Sequence, residues 1–409
     1  MAASSTFSDY RAVLTLRGAR LPVLASAIGR LPIAMFSMAT LLYVQRTTGS
    51  FAAAGLVSAG TLVGVALGSV GQGRIVDRLG PARPLLVAAL AFAVAAGALL
   101  WAIETRQHVA VLVALAVLVG LTQPALPGAS RALWGVLVPP GPRRDAAYAY
   151  EAISLEVFFI LGPALAAFLV AAPWPGTGLV VAVLGLVLGT VGFALSPTAR
   201  RQEVAPVAEG AGMLGAIARP GMRTVAVASL GFGLVVGAVE VGVPAVTTAA
   251  GSATLGGVLL SVWSIASVLA GVLYSLRPWP RPLHLRLPVL LAGFGAMGAV
   301  MAATALASSL VPLVVAMLVA GALITPQVTA HSLAVEVAAP AGAATEGFGW
   351  VITAATLGIA AGSSIAGIAV EQAGPPAAFL AGGVAGVALA ALLWVRRGSL
   401  VAEPAPAAA

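Results

Sequence analysis

Twelve stretches of this chain, most about twenty residues or longer, carry almost no charge. They lie at 21–45, 51–72, 84–104, 109–137, 148–172, 178–197, 224–249, 254–276, 287–308, 310–333, 347–370 and 377–395. A bilayer core about 30 Å thick is crossed by about 20 apolar residues in a helix. Lipid offers no partner for a bare peptide group, so a spanning segment is a helix or a closed barrel strand. The runs lack the two-residue alternation of barrel strands. The expected fold class is therefore an all-α membrane protein with twelve transmembrane helices. Composition agrees: 60% of residues are hydrophobic and only 8% charged, where a soluble domain carries about a quarter charged residues.

The basic residues test the count, because short cytoplasmic loops retain arginine and lysine. All 21 are arginine. Counting from a cytoplasmic N-terminus, the inner segments hold 11, 17, 20, 74, 78, 83, 143, 144, 200, 201, 219, 223, 277, 281, 286, 396 and 397; the outer loops hold only Arg46 and Arg106. An odd number of spans breaks this asymmetry. The expectation is a multi-pass protein of the cytoplasmic (inner) membrane with both termini in the cytoplasm. The net charge of +8 is thus a topology signal spread over short loops, and no nucleic-acid partner is expected. The polar first twenty residues do not read as a cleavable signal peptide. With no cysteine there is no disulfide or thiolate metal site, and neither a metal nor a cofactor is expected.

The island between the second and third runs reads Gly73-Arg74-Ile75-Val76-Asp77-Arg78-Leu79-Gly80-Pro81-Ala82-Arg83. A positive-inside loop explains its arginines, but neither the lone aspartate beside them nor the two glycines. The pattern Gly73, Asp77, Arg78, Gly80 resembles the signature loop of the major facilitator superfamily. Pro81 and Ala82 stand where that family usually has two basic residues, and Arg83 follows one step later. The resemblance implies that Asp77 clamps the inner ends of spans 2 and 11 through the positive N-terminal end of span 11, with Arg78 or Arg131 nearby.

The two halves of the chain repeat. Ala149-Tyr150-Glu151 leading to Leu161-Gly162 is echoed by Ala344-Thr345-Glu346 leading to Leu357-Gly358. Between the halves lies the longest hydrophilic interval, with Arg200, Arg201, Glu203, Pro206 and Glu209. The expected organisation is a six-helix bundle over 1–197, a cytoplasmic linker over 198–222, and a second six-helix bundle with a tail over 223–409. Paired repeats of this kind place a substrate site near the midplane between halves, and a monomer is expected. Gly60, Gly64 and Gly68 in span 2, Gly256, Gly257 and Gly271 in span 8, and Gly358 and Gly362 in span 11 let backbones approach closely. By the same resemblance they belong to the sliding interface of the halves.

Charges inside a span are costly and mark working residues. Arg30 in span 1 and Glu156 in span 5 fall at matching depth and are expected to form an ion pair. Arg131 and Glu151 stand near the inner ends of spans 4 and 5, where long side chains reach toward the interface. Glu240 has no basic residue near it in sequence, as a proton-coupling carboxyl requires. His331 and Gln327 in span 10 complete the polar candidates, with Gln123, Thr325 and Thr329. Gly162-Pro163 resembles the core of the span-5 motif of drug/proton antiporters, although Ala166 and Ala167 replace a second glycine pair. No Gly-x-Ser-x-Gly elbow or His-Glu-x-x-His pattern suggests an enzyme. The expected function is a secondary carrier of a small apolar or amphipathic molecule, exported in exchange for protons. Uptake of a polar metabolite and lipid translocation are the alternatives.

Overall fold

The computed structural model describes residues 6–170, 172–202, 214–251, 255–276, 281–307 and 309–400. Among them it contains no strand. A short amphipathic helix, α1 (Phe7–Thr15), is followed by α2 (Arg20–Thr48), α3 (Phe51–Leu79), α4 (Ala82–Glu104), α5 (Val109–Thr122), α6 (Leu126–Leu137), α7 (Pro142–Val170), α8 (Thr177–Ala194) and the single turn α9 (Pro197–Arg200). The second half carries α10 (Pro220–Ala249), α11 (Leu255–Leu276), α12 (Leu283–Thr304), α13 (Val311–Gly321), α14 (Ile324–Ala338), α15 (Ala344–Ala373) and α16 (Pro375–Arg396). Taking α5 with α6 and α13 with α14, each of the twelve apolar runs has its helix. Among the described residues eleven are long and apolar enough to cross a bilayer; α7, 29 residues long, occupies the place of the remaining run.

Contacts divide the chain into two units. The first is Ser5–Val207 with Ala341–Thr353, and the second is Ala208–Pro340 with Ala354–Ala409. In the first, Phe36, Phe92, Leu99 and Phe193 form part of a fully buried core. In the second, Phe294, Met301, Met317 and Phe379 do the same. Leu67, Val87, Leu90 and Val94 of the first unit, and Leu269, Val384 and Val395 of the second, are exposed, as lipid-facing side chains are.

The repeat recurs in the packing. A Cβ on Gly162 would stand 2.8 Å from Ala34 Cβ and 3.0 Å from Met35 N; one on Gly358 would stand 3.0 Å from Gly233 Cα and Leu234 N. Thus α7 sits on α2 as α15 sits on α10. The side chain of Pro163 lies outside the described residues.

Two spans are broken, which continuous apolarity conceals. Between α5 and α6 the chain leaves helical geometry at Gln123, and Gln72 of α3 repairs the gap. Its amide nitrogen donates to the Leu121 and Gln123 carbonyls at 2.8 and 3.0 Å, and its oxygen accepts from Ala125 N at 3.1 Å. Between α13 and α14, Ser267 of α11 accepts from Thr325 N at 3.2 Å. Such repairs are needed because unpaired peptide groups cost several kcal/mol in lipid.

Six of these glycines pack inside their own unit, contrary to the expected sliding interface. Gly60, Gly64 and Gly68 lie against the backbone of α5, Gly358 and Gly362 against α10, and Gly256 against Pro244 and Thr247 of α10; Gly257 faces open space. Spacing reveals that a helix face is smooth, not which neighbour uses it. A Cβ on Gly64 would lie 2.7 Å from Leu121 N and 2.9 Å from Gly120 Cα. Gly64→Val is therefore expected to destabilise by about 1–3 kcal/mol through overpacking, read as a lowered melting temperature. Gly71→Ala meets nothing within 4 Å and should be neutral or stabilising.

Candidate functional site

Two polar constellations stand in the first unit. The deeper one joins α2, α6 and α7. The Arg30 guanidinium donates through Nη1 to Glu151 Oε2 and through Nη2 to Ser154 Oγ, with its Cζ 5.3 Å from the centroid of the Phe158 ring. Glu151 Oε1 accepts from Ser130 Oγ and from Trp134 Nε1, both at 2.9 Å. Arg30 and Glu151 are 2% and 1% exposed. Arg131 is 5% exposed; its electrostatic neighbours are Glu151, Arg30 and Tyr148.

This arrangement corrects the expected partner of Arg30. The carboxylate beside it is Glu151, and Glu156 lies half-buried further along α7. The reason is helix register. The apolar run begins near 148, but α7 begins at Pro142, since Arg143, Arg144 and Asp145 are tolerated in a first helical turn outside the apolar zone. Arg30 is ten residues from the start of α2 and Glu151 nine from the start of α7. At about 1.5 Å per residue both lie about 14–15 Å along their helices. Arg131 and Glu151, read as charges reaching for the interface, are instead buried.

The second constellation lies where α3 meets the start of α15. Asp77 Oδ1 accepts from Thr345 N at 3.0 Å and Oδ2 from Glu346 N at 2.7 Å. These two amides belong to the first turn of α15, where backbone donors have no intrahelical partner, and a carboxylate there also meets the positive end of the helix dipole. Arg74 holds Glu346 bidentately, Nη2 to Oε1 at 2.9 Å and Nε to Oε2 at 3.1 Å. Gly73 makes the approach possible, since a Cβ there would lie 2.6 Å from Thr345 O. One turn back, Ser69 Oγ lies 2.8 Å from Thr353 Oγ1, which donates to Ala66 O at 2.8 Å. Gly80 ends α3 at φ +76°, in the left-handed region that favours glycine. Arg78 and Arg83 are exposed. The arginine of this contact is therefore Arg74, and Arg131 belongs to the other cluster. Arg74 and Glu346 stand in the island and in the repeat without an assigned contact, and Ser69 and Gln72 stand in neither; four-residue spacing from Asp77 back through Gly73 to Ser69 is the signal the sequence carries.

In the second unit, Gln327 Nε2 lies 3.3 Å from His331 Nε2 one turn along α14. His331 meets Phe232 edge-on at 5.9 Å, and Phe232, Phe294 and Trp263 stack in series at 5.6 and 6.3 Å. Thr325 Oγ1 is 2.8 Å from Ser267 Oγ. Glu240 is exposed on α10. The described residues hold no cluster of metal-ligating side chains.

Eleven bilayer-length apolar helices among the described residues, with α7 in the place of a twelfth and charged groups buried along them, are the build of a membrane transport protein rather than an enzyme. The chain belongs to the Major Facilitator Superfamily, whose family model matches residues 23–345. No curated protein sequence matches it. Its fold is similar to that of a human organic anion transporter, MFSD10, at 17% identity and a TM-score of 0.72, covering 93% of this chain and 100% of that one. It is also similar to a bacterial homologue of the iron transporter ferroportin in an outward-facing state, at 16% identity and a TM-score of 0.74, covering 94% and 100%. The fucose:proton symporter of E. coli shares the fold at 14% identity and a TM-score of 0.63, covering 92% and 99%.

Proposed function

We propose that the chain is a secondary active transporter of the cytoplasmic membrane that works by alternating access and exports a small apolar or amphipathic molecule against an inward flow of protons. The observation that carries the reading is the Asp77 contact with the start of α15. It is a compact polar latch made of one carboxylate, two helix-terminal amides and one bidentate ion pair. Such a latch can be closed in one state of a transport cycle and open in another, which is what two-state gating needs. It lies at the end of α3 beside the arginines 74, 78 and 83, the end that the positive-inside rule assigns to the cytoplasm. The span-5 pair Gly162-Pro163 supports the antiporter subtype. A fucose carrier of the same fold is a proton symporter, which makes proton coupling a natural mode for this architecture.

Glu240 is our candidate for the proton-carrying carboxyl. It makes no hydrogen bond or ion pair among the described residues, and no basic side chain neighbours it in sequence. In proteoliposomes, an imposed pH step is expected to drive loss of a preloaded hydrophobic fluorescent dye, and Glu240→Gln should abolish the response to the step while dye binding persists. Dye movement that ignores the pH gradient in the wild-type protein would overturn proton-coupled export. Movement of a polar metabolite or a labelled lipid in its place would favour the alternative carriers of this fold. A wild-type response in Glu240→Gln would move the proton to another group, with Glu156 next to be tested.

A further inference from the structure

The buried cluster of α2, α6 and α7 has more positive charge than it can neutralise. Two guanidiniums, Arg30 and Arg131, share one carboxylate, Glu151. That carboxylate is already engaged: Oε1 accepts from Ser130 and Trp134, and Oε2 accepts from Arg30. Arg131 has no ion pair or hydrogen bond among the described residues, and its buried Nε, like that of Arg30, makes none. A guanidinium stays charged at any accessible pH, and taking it out of water without acceptors is costly. A chain could avoid this cost with a neutral side chain, so the cation calls for a function. Three aromatic side chains lie close by. Trp134 and Phe158 touch Glu151 and Arg30, and Tyr148 is an electrostatic neighbour of Arg131.

Resting on the reading of the chain as a carrier, we propose that Arg131, supported by Arg30, is the binding site for the acidic group of an amphipathic organic anion: a carboxylate or sulfonate attached to an aromatic or aliphatic body. The planar fork of a guanidinium matches both oxyanions through paired N–H donors. The bound anion would bring the cluster to charge balance, two positive groups against two negative ones. Arg30 keeps Glu151 in place, and Arg131 has its donors to offer.

The test uses the purified full-length chain in detergent near neutral pH and three probes of one shape: 1-naphthoate, neutral 1-naphthamide and cationic 1-naphthylmethylammonium. Binding is followed by tryptophan fluorescence and calorimetry. Naphthoate should bind saturably and the amide at least about tenfold more weakly, the lower range for a lost charge-assisted contact. Arg131→Gln should lose about tenfold or more in naphthoate affinity, and Arg131→Lys should recover part of it. Arg131→Gln should also melt no lower than the wild type, because it removes an uncompensated buried charge; a residue kept only for folding would do the reverse. Equal affinity of Arg131→Gln for naphthoate, or equal binding of acid and amide, would overturn the assignment. If proteoliposomes move the amide or the amine under a pH step but naphthoate does not bind, the anion site falls and the carrier reading stands. If naphthoate binds through Arg131 yet no probe is moved under the pH step, the site stands and the reading of proton-driven export falls.

Discussion

Glu151→Gln is expected to be the most damaging single substitution in the buried cluster, costing about 3–5 kcal/mol, the range for leaving a buried charge without its partner. The wild-type cluster holds two guanidiniums and one carboxylate, so neutralising Glu151 leaves two buried cations facing each other. Arg30→Gln should cost less. It forfeits the bonds to Glu151 and Ser154 and the contact with Phe158, but Arg131 remains near Glu151 and keeps that carboxylate from standing alone. The double variant, Arg30→Gln with Glu151→Gln, should be more stable than the sum of the singles predicts, since one of the two stranded cations is gone. Equilibrium unfolding in mixed micelles measures each cost. Additivity within about 0.5 kcal/mol would mean that the two groups are energetically independent, and an Arg30→Gln variant weaker than Glu151→Gln would show that charge excess does not govern the cluster.

What the sequence made legible follows from which forces act locally. Lipid imposes length and apolarity on each span separately, so the runs could be read one by one, and arginine placement followed from loop topology. The signature island also read well in part. Gly80 is required by a positive φ at the end of α3, and Asp77 does meet the amides that open span 11. The partner of Arg30 did not read, because a helix can begin before its apolar zone. A start six positions earlier, at Pro142 rather than Tyr148, moves the depth scale of α7 and puts Glu151, rather than Glu156, opposite Arg30. The breaks at Gln123 and at Ala322–Leu323 were hidden because the surrounding side chains stay apolar while the backbone bonds are replaced by Gln72 and Ser267. Helix faces were ambiguous too: on α3, Gly60, Gly64 and Gly68 address α5, while Ala66, Ser69, Gly73 and Asp77 address α15. Two residues of offset, about 200° around a helix, separate a permanent seam from a candidate latch.

Asp77→Asn is expected to weaken that latch strongly and to slow turnover more than binding. The carboxylate accepts two bonds, one per oxygen, from successive amides of the first turn of α15. Asparagine keeps one acceptor but turns an NH2 group toward the other amide, so two donors meet where a donor and an acceptor met. It also removes the negative charge from the helix N-terminus. Leaving one half-buried amide unsatisfied costs about 1–3 kcal/mol, and about 1.4 kcal/mol is a tenfold shift in an equilibrium, so the closed population should fall by about tenfold or more. Arg74 and Glu346 would remain paired, which keeps the fold intact and limits the effect to the gate. The natural absence of cysteine makes the measurement direct. Spin labels on Arg78→Cys and Ala341→Cys, both at exposed positions, report the separation of α3 from the start of α15. The Asp77→Asn background should shift the distance distribution to longer values and lower transport in proteoliposomes at equal expression, with ligand affinity little changed. An unaltered distribution together with wild-type turnover would show that this contact is a helix cap and nothing more, because a cap stabilises one helix end whichever state the carrier occupies, whereas a latch must differ between states to bias them.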